Sequence, residues 1–205
     1  MWKPMPGFFV PGSPLYNEEG GEILKGPRRV EAAKRLLKES GYSGQPVTCL
    51  VAQDDFRLKA WGEVTADLLK RLDMNVDFVA TDWGTVVARR AQKSPPGQGG
   101  WNMFHTSTSG ADDTDPTSPQ IRANDDGALF GWPTSPQVEA EVAAWFDAKT
   151  LDEEKAVARR LNKAALDHVV YAPPRFLPPV SSLAQDVTGI VKGPLPFFWG
   201  VSKTA

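Results

Sequence analysis

The chain has 205 residues, 41% hydrophobic and 23% charged, with a formal net charge of −2. That length can bury one good core, and the near-neutral balance gives no electrostatic reason to expect nucleic acid or an anionic membrane surface as partner. No apolar run approaches the roughly 20 residues needed to span a bilayer, and the single cysteine, Cys49, cannot form an internal disulfide and reads as a small buried residue.

Residues 1–27 hold Pro4, Pro6, Pro11, Pro14 and Pro27 among several glycines, and no helical or strand period survives in them. They read as an extended arm lying on something else, more natural as the middle of a longer chain than as the start of a domain. The same prolines and glycines break any signal-peptide core, so the sequence as given reads as having no export signal.

A regular pattern begins at Pro27, which suits a helix start; Val30, Ala33 and Leu37, with Ala32 and Leu36 alongside, form an apolar stripe that Gly41 ends. Residues 46–53 are a short, β-branched apolar run and predict a buried strand. Leu58, Trp61, Val64, Leu68 and Leu72 then step by three or four, an amphipathic helix with Asp54 or Asp55 as cap. Residues 74–81 alternate as a strand, Asp82 caps a helix to about Gln92, and a strand is expected over 101–107. Two helices follow. The first, around 137–148, turns Val138, Val142, Trp145 and Phe146 inward, and the second runs from Asp152 to about Val170. The proline-rich remainder reads as irregular strands and turns, with residues 195–201 as a final strand or edge. The αβαβαβ order predicts an α/β fold with a mixed, mostly parallel sheet flanked by helices.

The loop after the third strand, Ser109-Gly-Ala-Asp-Asp-Thr-Asp-Pro-Thr117, places Asp112, Asp113 and Asp115 within four positions. Loops beyond the carboxyl ends of parallel strands are favoured ligand positions. The cluster reads as a ligand contact or as a solvated turn. It lacks the spacing and closing Glu of a calcium loop, and the two histidines do not complete a metal set, so neither a metal site nor a cofactor is expected. His105 shares a strand face with Trp101 and Met103 and reads as a cleft wall or a core residue, whereas His168, on the face of Val157, Leu161 and Ala164, reads as packed or capping. Paired carboxylates could perform acid–base chemistry, which keeps a carboxylate-based or metal-assisted hydrolase as an alternative. The chain has no nucleophile elbow, Walker loop or dinucleotide fingerprint, and it is read as a non-enzyme. An interaction domain without ligand is a second alternative, and a broad exposed apolar patch would mark it. Trp61 and Trp145 read as core, while Trp83, Phe130 and Trp132 sit at element edges, where aromatics form apolar cleft walls.

The stretches "VEAAKRLLKESGYSGQPVTCLV", "VTADLLKRLDMNVDFVATDWGTVVARR", "GGWNMFHTS", "GADDTDP", "FGWP" and "PLPFFWGVSK" occur in the order and approximate spacing of the C-terminal half of family 5 extracellular solute-binding proteins, which serve peptide, nickel and related ABC importers. The chain resembles that family over almost its whole length. The resemblance implies a periplasmic parent about two to three times this length, a clamp of two lobes closing on a small-molecule or peptide ligand. It implies as partners a missing N-terminal lobe of the same protein and an ABC permease in the membrane. Residues 1–27 would then be an arm toward that lobe, 28–180 the α/β ligand-binding lobe, and 181–205 a return segment near the hinge, with Trp199 reporting closure. The match puts Asp112 in the place of the aspartate that meets a ligand's α-ammonium group; Asp115 would cap a short turn and Asp113 would be solvated. Gly110, His105, Thr106, Ser107 and Trp132 complete the implied ligand-binding set. Arg175, in "YAPPRF", departs from the Pro-Leu-Gly-Gln-like stretch of many relatives.

Overall fold

The run Val-Thr-Cys-Leu-Val-Ala forms strand β1 (Val47–Ala52), and Thr48 through Ala52 are buried. Such a continuous apolar run suits a strand covered on both faces. Its neighbours β2 (Val76–Thr81) and β3 (Met103–Phe104) both run parallel to it, giving the order β2-β1-β3. Val47 pairs with Val76 and Ala52 with Thr81, whereas β3 contributes only the pairs Cys49–Met103 and Leu50–Phe104. The expected strand over 101–107 is therefore reduced to two residues. Its start is replaced by a side chain: Thr48 donates its N–H to Asn102 Oδ1 at 2.9 Å, where a strand would offer a main-chain carbonyl.

The computed structural model describes residues 6–27, 29–173, 184–191 and 197–203, so Arg175 and the start of the expected 195–201 strand lie outside the described residues. Parallel strands need crossovers, supplied here by α2 (Phe56–Arg71) and α3 (Trp83–Arg89). Asp55 caps α2 by accepting from the N–H groups of Arg57 and Leu58, and Asp82 caps α3 through Thr85 N–H. The inner face of α2 keeps Leu58 and Trp61 of the expected stripe but continues through Gly62 and Ala66, while Val64 is 62% exposed. A Cβ on Gly62 would sit 2.3 Å from Val51 Cγ1, so this glycine lets the helix approach the sheet and fixes which face turns inward. Helix α1 (Val30–Glu39) starts three residues after Pro27, which lies in a bend, and its Leu36 is exposed.

Two compact units result: Pro27–Ser107, and a unit built from Met1–Gly26 and Thr108–Ala205. The first has a core of Leu50, Ala52, Leu58 and Val86, with Trp61, Trp83, Trp101 and Phe104 packed against it. The second centres on α4 (Pro136–Asp147) and α5 (Leu151–His168), the latter opened by a capping box of Thr150 and Glu153. Val138, Val142, Leu161 and Ala165 pack there with Phe8, Phe9 and Leu15, so the segment expected as an arm supplies core residues; it has one 3₁₀ turn (Gly21–Leu24). Phe146, expected inward, is 59% exposed because the buried stripe of α4 passes through Val138, Val142 and Trp145. His168 is exposed, not packed: it is the last residue of α5, followed by Val169 in the left-handed region at φ 57°. Strand β4 (Val187–Thr188) pairs antiparallel with β5 (Ser202–Lys203), which begins just beyond the expected terminal strand; Trp199 is exposed on the turn before it.

Candidate functional site

In the Pro27–Ser107 unit, the carboxyl ends of three parallel strands converge. The order β2-β1-β3 sends the connection from β1 to one side and brings the chain back to the other, so the ends of β1 and β3 flank a topological switch point. Asp54, Asp55, Arg57, Leu58, Trp83 and Ser107 line an open recess of about 350 Å³ there. Asp54 Oδ1 accepts the Trp83 N–H at 2.8 Å and so ties the start of α3 to the end of β1. Arg57 grips Asp55 with two bonds, Nε to Oδ1 at 3.2 Å and Nη2 to Oδ2 at 2.6 Å. This hydrogen-bonded guanidinium, helped by the N–H groups of Arg57 and Leu58, holds the Asp55 carboxyl down at about 2.

Ser107 is the expected site residue that falls in this recess. His105 is turned to α2: its Nε2 and Thr65 Oγ1 are 2.9 Å apart, and its Nδ1 is buried without a hydrogen-bond partner. Burial lowers its pKa, which favours a neutral imidazole. Thr106 is half-buried between the two. The other lining residues, Asp54, Asp55, Arg57 and Trp83, read from sequence only as caps, helix residues and an edge aromatic. The signal for them is the convergence of strand ends, which needs the strand order.

The acid loop belongs to the other unit. Gly110–Asp113 forms a 3₁₀ turn in which Ser109 Oγ accepts the Ala111 N–H at 3.2 Å and Ser109 O accepts the Asp112 N–H at 2.9 Å. With three residues per turn, neighbouring side chains point about 120° apart. Asp112 accordingly is exposed while Asp113 is buried, which corrects the expectation that Asp113 is solvated. Asp113 faces Phe8, Phe9, Ile121 and Tyr171, and its carbonyl accepts the Val10 N–H at 2.8 Å. Burial pushes its carboxyl up to about 6; the Thr108 hydroxyl at 3.4 Å offsets part of this, and the charge of Asp112 adds to it. Asp115 accepts from Thr117 N–H and Thr117 Oγ1 at 2.9 and 2.6 Å, the turn-capping role expected of it. Trp132 sits on a separate turn, at φ 49°, with its ring edge-on to Phe130 at 6.5 Å. Gly110 and Asp112 thus share one turn, with Trp132 on another. Among the described residues, no group of three or more His, Cys, Asp or Glu side chains could hold a metal ion, and no helix is long and apolar enough to cross a membrane.

The parallel sheet with crossover helices is an α/β arrangement, and solved structures of binding proteins share this fold. The dipeptide-binding protein of a Pseudoalteromonas species, in complex with Met-Leu, matches with a TM-score of 0.68 at 17% identity over 99% of this chain and 40% of its own. The murein tripeptide-binding protein of Escherichia coli matches at 0.63 with 16% identity over 85% of this chain and 34% of its own. A binding protein in complex with agropinic acid from A. tumefaciens matches at 0.65 with 17% identity, covering 83% and 34%. By sequence, the chain is 32% identical over 98% of its length to a probable peptide ABC transporter periplasmic-binding protein of Sinorhizobium fredii. The chain is thus similar to one part of such a binding protein, and it spans 38% of that relative's length. No family model matches the chain.

Proposed function

We propose that this chain is one lobe of a periplasmic solute-binding protein that captures peptides or similar amine-bearing solutes and delivers them to an ABC permease. The relationship to a peptide transporter's binding protein over 98% of the chain carries this reading. The role is reversible binding, not catalysis: two lobes close on the ligand, and the closed form is what the permease reads.

Asp112 is the proposed anchor for a ligand ammonium. Its exposure, on a turn whose other side is fastened to the core, supports that role: a fixed carboxylate that gains a charge-assisted hydrogen bond as the lobes exclude water. In the Pro27–Ser107 unit the hydroxyls of Thr106 and Ser107, with His105 behind them, and in the other unit Gly110 and Trp132, are the further ligand contacts proposed. Native mass spectrometry of the longer protein, purified from cells without refolding, tests the reading. A retained small mass that is lost in Asp112→Ala supports amine capture. A wild type that is empty, and stays empty on exposure to a panel of dipeptides, refutes it.

A further inference from the structure

Asp112 and Asp113 are consecutive carboxylates with opposite surroundings. Asp113, 9% exposed, attaches the turn to the core: its carbonyl takes the Val10 N–H, and its carboxylate takes the Thr108 hydroxyl. Around it, Phe8 and Phe9 come from the N-terminal segment, Ser118, Gln120 and Ile121 from the following loop, and Tyr171 from beyond α5. Among the described residues, the titratable groups facing it are Asp112 and Asp115 on its own loop and the Tyr171 phenol, and no described Lys or Arg lines this recess. The same burial, with the Asp113 charge as a second cause, pushes the Tyr171 phenol well above its ordinary value, so that group stays neutral. A carboxyl buried among neutral groups beside another carboxylate holds its proton to higher pH than usual, here to about 6.

We propose that Asp113 is the positioning residue of Asp112: it fastens the turn to the core, and its own charge sets how strongly Asp112 holds a cation. The proposal rests on the reading of Asp112 as the amine contact. A cation seated on Asp112 cancels the charge that opposes ionisation of Asp113. Capture therefore releases the Asp113 proton to solvent, and by reciprocity an ionised Asp113 strengthens capture. Cation affinity then rises with pH across the titration of Asp113, and a neutral residue in its place removes that dependence.

The coupling can be measured without a ligand. Replacing Asp112 by Asn mimics the neutralisation a bound ammonium would cause. Carbon-detected NMR of the 205-residue chain follows the Asp113 carboxyl in wild type and in Asp112→Asn, and the amides of residues 110–112 in wild type and in Asp113→Asn. The proposal expects the Asp113 midpoint to fall by about half a pH unit or more in Asp112→Asn, a modest coupling for nearby charges. It also expects the amides to move with that midpoint in wild type and to lose the transition in Asp113→Asn. An Asp113 midpoint in the ordinary carboxylate range, or one indifferent to Asp112, overturns it, as does an unchanged amide transition in Asp113→Asn. Should Asp113→Asn fail to fold, the Asp112→Asn comparison decides alone. Loss of coupling leaves peptide capture standing, whereas failure of dipeptide binding with coupling intact removes the reading of Asp112 and keeps the charge linkage.

Discussion

Asn162, fully buried on α5, accepts the Phe8 N–H at 2.8 Å and donates to Glu19 O at 2.7 Å. One side chain thereby satisfies two main-chain groups of the N-terminal segment, and Gly7 packs so closely that a Cβ there would lie 2.6 Å from Asn162 Oδ1. Asn162→Leu should leave both groups without partners, at a cost of about 2–4 kcal/mol, and Gly7→Ala should be harmful by displacing the amide. Chemical denaturation of the 205-residue chain gives the numbers; a loss under about 0.5 kcal/mol for Asn162→Leu would mean that the segment is held by Phe8, Phe9 and Leu15 alone.

Gly62→Ala is a case where local preference and packing disagree. Within a helix, alanine is favoured over glycine by about 1 kcal/mol. Here the new methyl meets Val51 on the central strand, which cannot swing away as a long surface side chain could. Overpacking should prevail and destabilise by about 1–3 kcal/mol, seen as a lower thermal midpoint. A raised midpoint would show that α2 can lift off β1.

These two sites also show what sequence makes legible. β1 was readable because an unbroken apolar run of strand length fits a strand covered on both faces. The face of α2 is legible only in Leu58 and Trp61, because periodicity weighs large apolar residues, and Val64 outweighs Gly62 although contact with Val51 demands the glycine. Asp113 was misread for a related reason. Its loop is polar throughout, and the residues that bury it, Phe8, Phe9 and Tyr171, come from distant parts of the sequence. The recess at the strand ends needed the order β2-β1-β3, which pairing alone reveals, while Asp112 came from motif likeness and its exposure from the turn.

Two buried groups give opposite pH trends. Asp113 has its folded pKa raised from the ordinary 3.8 to about 6, so the fold binds more protons than the unfolded chain in that window, and stability falls as pH rises through it. A rise of about 2 pH units corresponds to about 3 kcal/mol of ionisation cost above pH 6. Asp113→Asn should therefore stabilise the chain at pH 7.5 and have little benefit at pH 4. His105 has its pKa lowered from 6.5 by burial, so its effect is a loss of stability as pH falls below that value. His105→Gln should flatten that acid limb. Denaturation midpoints from pH 4 to 8 for the three proteins check both signs; an Asp113→Asn benefit that is independent of pH would show that the carboxyl titrates alike in the folded and unfolded chain.

Asp112→Ala separates binding from stability. The side chain is exposed, and its removal should change folding stability by no more than about 0.5 kcal/mol. The same substitution removes the proposed charge-assisted contact and should weaken a ligand ammonium at least tenfold, or about 1.4 kcal/mol. Paired denaturation and binding curves check this, and equal losses in both would mark Asp112 as structural.

The most direct measurement is calorimetric titration of the longer protein with a dipeptide bearing a free α-ammonium and with its N-acetylated counterpart, in wild type and in Asp112→Ala. Amine capture by the acid loop predicts that wild type prefers the free amine by at least tenfold and that Asp112→Ala binds both forms equally weakly. Equal binding of the two forms by wild type, or a preference that survives in Asp112→Ala, would contradict it.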